Sequence, residues 1–179
     1  MSTDKKKFEN VKEGMMTQGQ ENPQSKLRSA SKKLEKVIEK KHLQDLASTT
    51  FDNNGLHIEF KEGVLFSSGA AEFSVEHQKT IKEVIKIISD LGSDYQLVIE
   101  GHTDDVPLHS KEVFESNWEL SAARGFAMMR WFQSMGIPEN HMSVLSYAHT
   151  RPKIDPKGLK GAELQKARAA NRRVLIRIE

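Results

Sequence analysis

YQLVIEGHTDDVPLHS (Tyr95–Ser110) is the stretch around which the rest of the chain falls into order. Its first six residues, Tyr95–Glu100, form an apolar run that reads as a buried strand. The next ten, Gly101–Ser110, carry two histidines and two aspartates. On the N-terminal side, Phe73, His77, Ile81, Val84, Ile85, Ile88 and Leu91 recur at helical spacing, which predicts a helix over Glu72–Leu91. Gly92 stands at its C-cap, where glycine takes a left-handed conformation at little cost. On the C-terminal side, Ser116 is followed three residues later by Glu119, a capping box that starts a second helix. Gly136 and Ile137-Pro138 stop that helix. A strand with a helix before and after it is the unit of an alternating α/β chain.

Working outward, Leu56–Phe60 alternates apolar and polar residues and predicts a half-buried strand after the turn Asp52-Asn-Asn-Gly55. Val64-Leu-Phe66 is a further short apolar run. Met142–Tyr147 predicts a strand, Gly161–Ala170 a short helix, and Arg172–Glu179 a closing strand with Val174, Ile176 and Ile178 on one face. Leu27–Leu46 is helical by pattern, with a narrow stripe of Leu27, Ala30, Leu34, Val37 and Ile38 that suits packing on the body or on a helical partner. The chain is too short for a doubly wound sheet. We expect an α+β fold, a two-layer sandwich with order β-α-β-α-β-α-β and a mixed sheet. Three segments are expected: a polar, basic arm over 1–25, a linker helix over 26–50, at least partly mobile, and a domain over 51–179.

Composition limits the function. The chain has 179 residues, 37% hydrophobic and 29% charged, with a formal net charge of +2. No global basic footprint for nucleic acid exists. Residues 1–50 hold 11 Lys and Arg against 7 Asp and Glu; the remainder holds 16 against 18. With no cysteine, a disulfide framework, a thiolate zinc site and a cysteine nucleophile are excluded. No apolar run reaches the length of a membrane span, and MSTDKKKFEN has no apolar stretch after its lysines to make a signal peptide. The expectation is a cytosolic protein or a soluble piece of a longer one.

Arg124 stands out inside an apolar stripe. With Leu120 at zero and about 100° per residue, Ala127 lies near −20°, Trp131 near 20°, Met135 near 60° and Arg124 near 40°. Asn117 lies near 60°, about two turns above Arg124. A guanidinium keeps its proton, so a buried one needs an anion. Asp104 and Asp105 are the nearest in sequence order, at the carboxyl end of a strand, where ligands collect in α/β units. Two readings follow. Asp104 and Arg124 form a structural salt bridge, or they act apart: Arg124 takes a carboxylate and Asp104 an ammonium, the complement of an amino acid's zwitterionic end.

Other chemistries are weaker. His102, Asp104 and His109 are a conceivable metal set, but no paired ligand spacing supports it. His102 reads better as a hydrogen-bonded residue at the core edge, and His77 and His109 as surface residues. Ser121, Asp104 and His102 form a nominal triad without a nucleophile elbow. Ser116 is explained as an N-cap.

Gly101-His-Thr-Asp104, Asn117-x-x-Leu-Ser121, Arg124 and Asn171-Arg-Arg-Val174 occur in that order, and with them the chain resembles the OmpA-like peptidoglycan-binding domains over about Leu56–Glu179. Gly101-His-Thr-Asp-Asp-Val-Pro107 and Ser116-Asn-Trp-Glu-Leu-Ser-Ala-Ala-Arg124 bring it nearest to the periplasmic regions of flagellar stator proteins. The resemblance implies a non-enzymatic, cofactor-free domain that binds peptidoglycan in the periplasm. Asp104 and Arg124 would grip the amino and carboxyl groups of the diamino acid. Thr103, Asn117 and Leu120 would line the site, and Arg172 would close it. It further implies an N-terminal membrane helix, a MotA-like channel partner and a homodimer. Other readings stay open: an OmpA- or Pal-type envelope anchor, a secretion-system component, or a metal-dependent hydrolase. The chain departs from the family pattern at Ser146-Tyr-Ala148, where Gly-x-Gly is usual, and at Ala167-Arg168, where Gly-Arg is usual. Asn171 also fits a helix C-cap, and Arg173 an exposed strand charge.

Overall fold

Arg173–Ile178 closes the sequence, yet it lies in the middle of the sheet. The computed structural model describes residues 22–45, 47–66, 70–72, 78–92, 95–108 and 113–179. The elements in chain order are α1 (Pro23–Lys40), β1 (Ala47–Asp52), β2 (Gly55–Lys61), a single turn α2 (Glu62–Leu65), α3 (Gln78–Ser89), β3 (Leu97–His102), α4 (Asn117–Ser134), a 3-10 turn (Glu139–His141), β4 (Met142–Ala148), α5 (Gly161–Asn171) and β5 (Arg173–Ile178). The sheet runs β1-β2-β5-β3-β4. β3 and β4 are parallel, and the other pairs are antiparallel. This is the expected two-layer α+β sandwich with a mixed sheet.

Register decides which side chains form the core. Ile58 sits opposite Ile176, and Ile176 opposite Ile99. Strand alternation then puts Leu56, Ile58, Phe60, Leu97, Val174 and Ile178 on that same face. Helices α1, α3 and α4 bury Leu34, Ile38, Ile81, Ile85, Met128 and Phe132 against it in one cluster. The opposite face carries charge that lies flat and pairs: Arg177 Nε is 2.8 Å from Glu100 Oε1, and Lys153 Nζ is 2.6 Å from Glu59 Oε1. That pairing is how Glu100, at 6% exposure, remains charged in an interior strand.

The structure corrects three boundaries. α1 ends at Lys40, not at Leu46. His42 takes φ 55°, its amide donates to Glu39 O, and the Leu43 amide donates to Ile38 O. This is a Schellman end with histidine where glycine is usual, so the stop signal is hidden. β1 begins soon after, at Ala47, an edge strand whose Ala47, Thr49 and Phe51 are too weakly apolar to be recognised. The run Val64-Leu-Phe66 is not a strand: Leu65 closes α2, Phe66 follows in extended form, and both are buried. The stripe of α4 is also rotated. Met128 and Phe132 are its large buried residues, while Ala123 and Trp131 are half-buried. The N-terminal part of the expected helix, with Phe73 and His77, and residues 1–21 of the arm expected over 1–25 lie outside the described residues, while Pro23–Ser25 already belong to α1.

The starts match the chemistry of their caps. Asn22 Oδ1 accepts the Gln24 amide at 3.0 Å, with Pro23 at the first helical position. At the β1–β2 hairpin, Asp52 Oδ1 accepts the Asn54 amide at 2.7 Å. Gly55 follows at φ 114°, where a Cβ would stand 2.2 Å from Ile178 O. No other residue fits there.

Candidate ligand-binding site

β3 and α4 approach each other closely because Gly101 has no side chain: a Cβ there would lie 2.1 Å from Ser121 O. Ser121 extends the contact to β4. Its Oγ is 2.5 Å from Ser146 Oγ and accepts the Ala148 amide at 3.3 Å. Ala148 has φ 46°, the left-handed conformation that glycine usually supplies, and its carbonyl accepts the Thr103 amide at 2.8 Å. The carboxyl end of β3 is thereby fixed, and Thr103 and Asp104 leave it in a defined direction. Asp104 Oδ1 accepts the Val106 amide at 3.1 Å. From the first turn of α4, Asn117 Nδ2 donates to Val106 O at 2.9 Å and more weakly to Asp104 O at 3.4 Å. Asn117 therefore shapes the loop that presents Asp104.

Below that loop, charges alternate in a row. Arg124 is 2% exposed. Its Nε donates to Ala70 O at 3.0 Å, its Nη2 to Glu62 Oε1, and Phe66 lies against the guanidinium. Glu62 Oε2 is 2.6 Å from Arg172 Nε, and Arg172 Nη1 donates to Asp104 Oδ2 at 2.6 Å. The row reads Arg124, Glu62, Arg172, Asp104, two cations and two anions. Burial lowers the Arg124 pKa and the Glu62 charge restores part of it; the group stays protonated. Burial also presses on Arg172, but its hydrogen bond to Asp104 and the charges of Glu62 and Asp104 outweigh that, and its pKa is raised. At the rim, Arg168 holds Asp105 in a bidentate pair at 2.8 and 2.9 Å. Those hydrogen bonds hold the Asp105 carboxyl below its usual range.

Thr103, Asp104, Asn117, Leu120, Arg124 and Arg172 all line one open pocket of about 660 Å³. Val106, Pro107, Leu108 and Phe114 give it an apolar side. The sequence reading is corrected in the pairing. Asp104 does not bridge to Arg124; Arg172 holds Asp104, and Glu62 answers Arg124. Glu62 was missed because Lys61-Glu-Gly63 reads as a polar surface turn. Its position just ahead of a buried apolar pair was the one usable signal. Asp105 was read as an alternative partner for Arg124 and instead pairs with Arg168.

The histidines do other work. His102 faces away from the pocket, shares a sheet face with Glu100, stacks on Tyr147 at 5.4 Å and has Nε2 3.2 Å from Glu100 Oε2. Burial lowers its pKa; the Glu100 hydrogen bond and charge restore only part, while Arg173 opposes protonation. His77 and His109 lie outside the described residues. Among the described residues no three His, Cys, Asp or Glu side chains are grouped to hold a metal ion. Ser121 is committed to β4 rather than to His102. Arg173 is not an exposed strand charge: it is buried, and donates to Asn171 O at 3.1 Å and Arg151 O at 3.2 Å. Asn171 ties down the 149–160 loop, bonding the Ile154 amide and carbonyl at 2.9 and 2.8 Å.

Known proteins resemble this chain in sequence and fold. Motility protein B of Bacillus subtilis (strain 168) is 29% identical over 156 residues, 87% of this chain and 57% of that protein. YtxE of the same organism, described as uncharacterized, is 30% identical over 142 residues, 79% of this chain and 56% of that one. The chain thus spans little more than half the length of these relatives. The crystal structure of the periplasmic domain of Helicobacter pylori MotB superposes with a TM-score of 0.63 at 26% identity, covering 74% of this chain and 78% of that one. The model of the OmpA family matches residues 65–166, over half of the chain, including β3, the Asp104 loop and α4. Sequence motifs, sheet order and family model agree on one conclusion: the chain belongs to the OmpA family.

Proposed function

We propose that residues 51–179 bind peptidoglycan without catalysis and anchor a flagellar stator to the cell wall, as the periplasmic part of a MotB-like protein. The convergence of Asp104, Arg124 and Arg172 in one pocket beside an apolar wall carries this reading. Asp104 takes the ammonium of the stem peptide's diamino acid, and Arg124 its carboxylate. Thr103 and Leu120 shape the floor, Asn117 holds the loop, and Arg172 closes the site. A fixed frame of this kind recognises a zwitterion through charge-assisted hydrogen bonds. The full protein works in the periplasm as a homodimer, with an inner-membrane helix beside a MotA-like channel subunit, and residues 1–25 and 26–50 are the arm and linker that lead towards it. No helix among the described residues is long and apolar enough to cross a membrane.

Co-sedimentation with purified sacculi tests the reading, using wild type, Asp104→Ala and Arg124→Ala, each checked for folding by circular dichroism. Wild type is expected in the pellet and both folded variants in solution. Wild type left in solution, both with and without residues 1–21, would sink the proposal.

A further inference from the structure

Both groups assigned to the ligand are already occupied by the protein's own side chains. Asp104 Oδ2 is held by Arg172 Nη1 at 2.6 Å, and Arg124 is held by Glu62. The members of this row differ in access. The side chains of Arg124, Glu62 and Asp104 are 2%, 10% and 11% exposed, while that of Arg172 is 35% exposed. Arg172 is the one member with room to move. It also has two separate attachments, Nε to Glu62 Oε2 and Nη1 to Asp104 Oδ2, both at 2.6 Å.

We propose that Arg172 changes partners when ligand enters, pivoting on Glu62 from Asp104 to the ligand's carboxylate, and that this exchange makes the site selective for a zwitterion over a simple amine. The inference rests on the peptidoglycan reading for the nature of the ligand. An incoming ammonium needs Asp104, whose other oxygen is engaged by the Val106 amide. Sharing Oδ2 with Arg172 would bring two cations together at one oxygen, a like-charge contact that is relieved when Arg172 leaves. The planar guanidinium has five donors in a fixed fork, so Nε keeps Glu62 while the two Nη groups turn to a carboxylate beside Arg124. A zwitterion therefore replaces one internal ion pair by two new ones. A ligand with the ammonium alone replaces one by one and leaves Arg172 with Glu62 as its remaining partner. Glu62 is the positioning residue of the exchange. It touches both guanidinium groups and sets the distance between the two cations that receive the carboxylate.

The test uses the full 179-residue chain and two synthetic peptides. One carries a diamino acid with a free distal amino-acid end; the other is the same peptide with that carboxylate converted to a carboxamide. Affinities come from calorimetry or NMR titration. Wild type is expected to bind the zwitterionic peptide about tenfold more tightly, the scale of one charge-assisted hydrogen bond. Arg172→Gln is expected to move the two in opposite directions: the zwitterion binds more weakly, and the carboxamide more tightly because Asp104 has lost its internal competitor. A merely structural Arg172 does not produce opposite shifts. Arg172→Lys keeps the charge but has no fork to span Glu62 and ligand, and is expected to leave the discrimination lost. If Arg172→Gln, folded by circular dichroism, weakens both peptides alike or changes neither, the exchange is wrong and the anchor reading survives. If wild type binds neither peptide, the ligand reading and the exchange fall together.

Discussion

Arg124 stays charged in a nearly sealed position because Glu62 faces it. Glu62→Ala leaves that guanidinium without an anion, a loss of about 3–5 kcal/mol for a buried pair broken on one side. Urea unfolding measures it; a loss under 1 kcal/mol would mean that Asp104 or water takes over the role. His102 supplies a pH dependence. Its folded-state pKa lies below the ordinary 6.5, chiefly through burial. Near pH 6.5 the unfolded chain takes up a proton that the folded chain resists. The stability His102 contributes is therefore present above that pH and lost as pH falls through the folded value, at no more than about 1.4 kcal/mol per pH unit. We expect the unfolding midpoint in urea to decline between pH 6.5 and 5, and more shallowly in His102→Gln. Equal slopes would show that other groups carry the effect. At this scale the sequence was legible where one residue violates its surroundings, as Arg124 does. Glu62 looked like ordinary surface charge, and nothing local marked it as the partner.

The elements were legible where their stop signals are conventional. Ser116 opens α4 and Gly136 follows its end, and both were readable. The end of α1 was not, because histidine holds the left-handed position, and β1 was absorbed into the helix as a result. Pairing order was not legible either, since nothing in Arg173–Ile178 says which strands flank it. The N-terminal helix was expected to be at least partly mobile. In the structure Leu27, Ala30, Leu34 and Ile38 share one core with α3. The amides of Leu34–Lys40 are accordingly expected to exchange hydrogen about as slowly as those of Ile81–Ser89. Exchange within seconds at neutral pH would show that the contact is transient. Leu34, with no exposed surface, gives the matching stability test. Leu34→Ala is expected to cost about 2–5 kcal/mol if α1 is integral to the fold, and well under 1 kcal/mol in thermal unfolding if it is a loose appendage.

At the scale of the whole molecule, charge around the site is paired rather than massed. The row at the site balances two cations with two anions, the rim adds one of each, and the total is only +2. Binding of a zwitterionic peptide is therefore expected to change by less than about threefold between 50 and 300 mM salt, since little long-range field is left to screen. A tenfold fall over that range would point instead to a diffuse basic surface. The position of the last strand has a different consequence. β5 lies between β2 and β3, and Gln96 and Glu179 exchange backbone hydrogen bonds at 3.0 Å. During synthesis the hairpin β1–β2 and the pair β3–β4 emerge as two unjoined halves, and the strand that joins them follows both. A chain cut short at Arg172 has no sheet centre. Closing the sheet therefore waits for the most C-terminal of its strands, and until β5 is present the other four have no common frame to dock on.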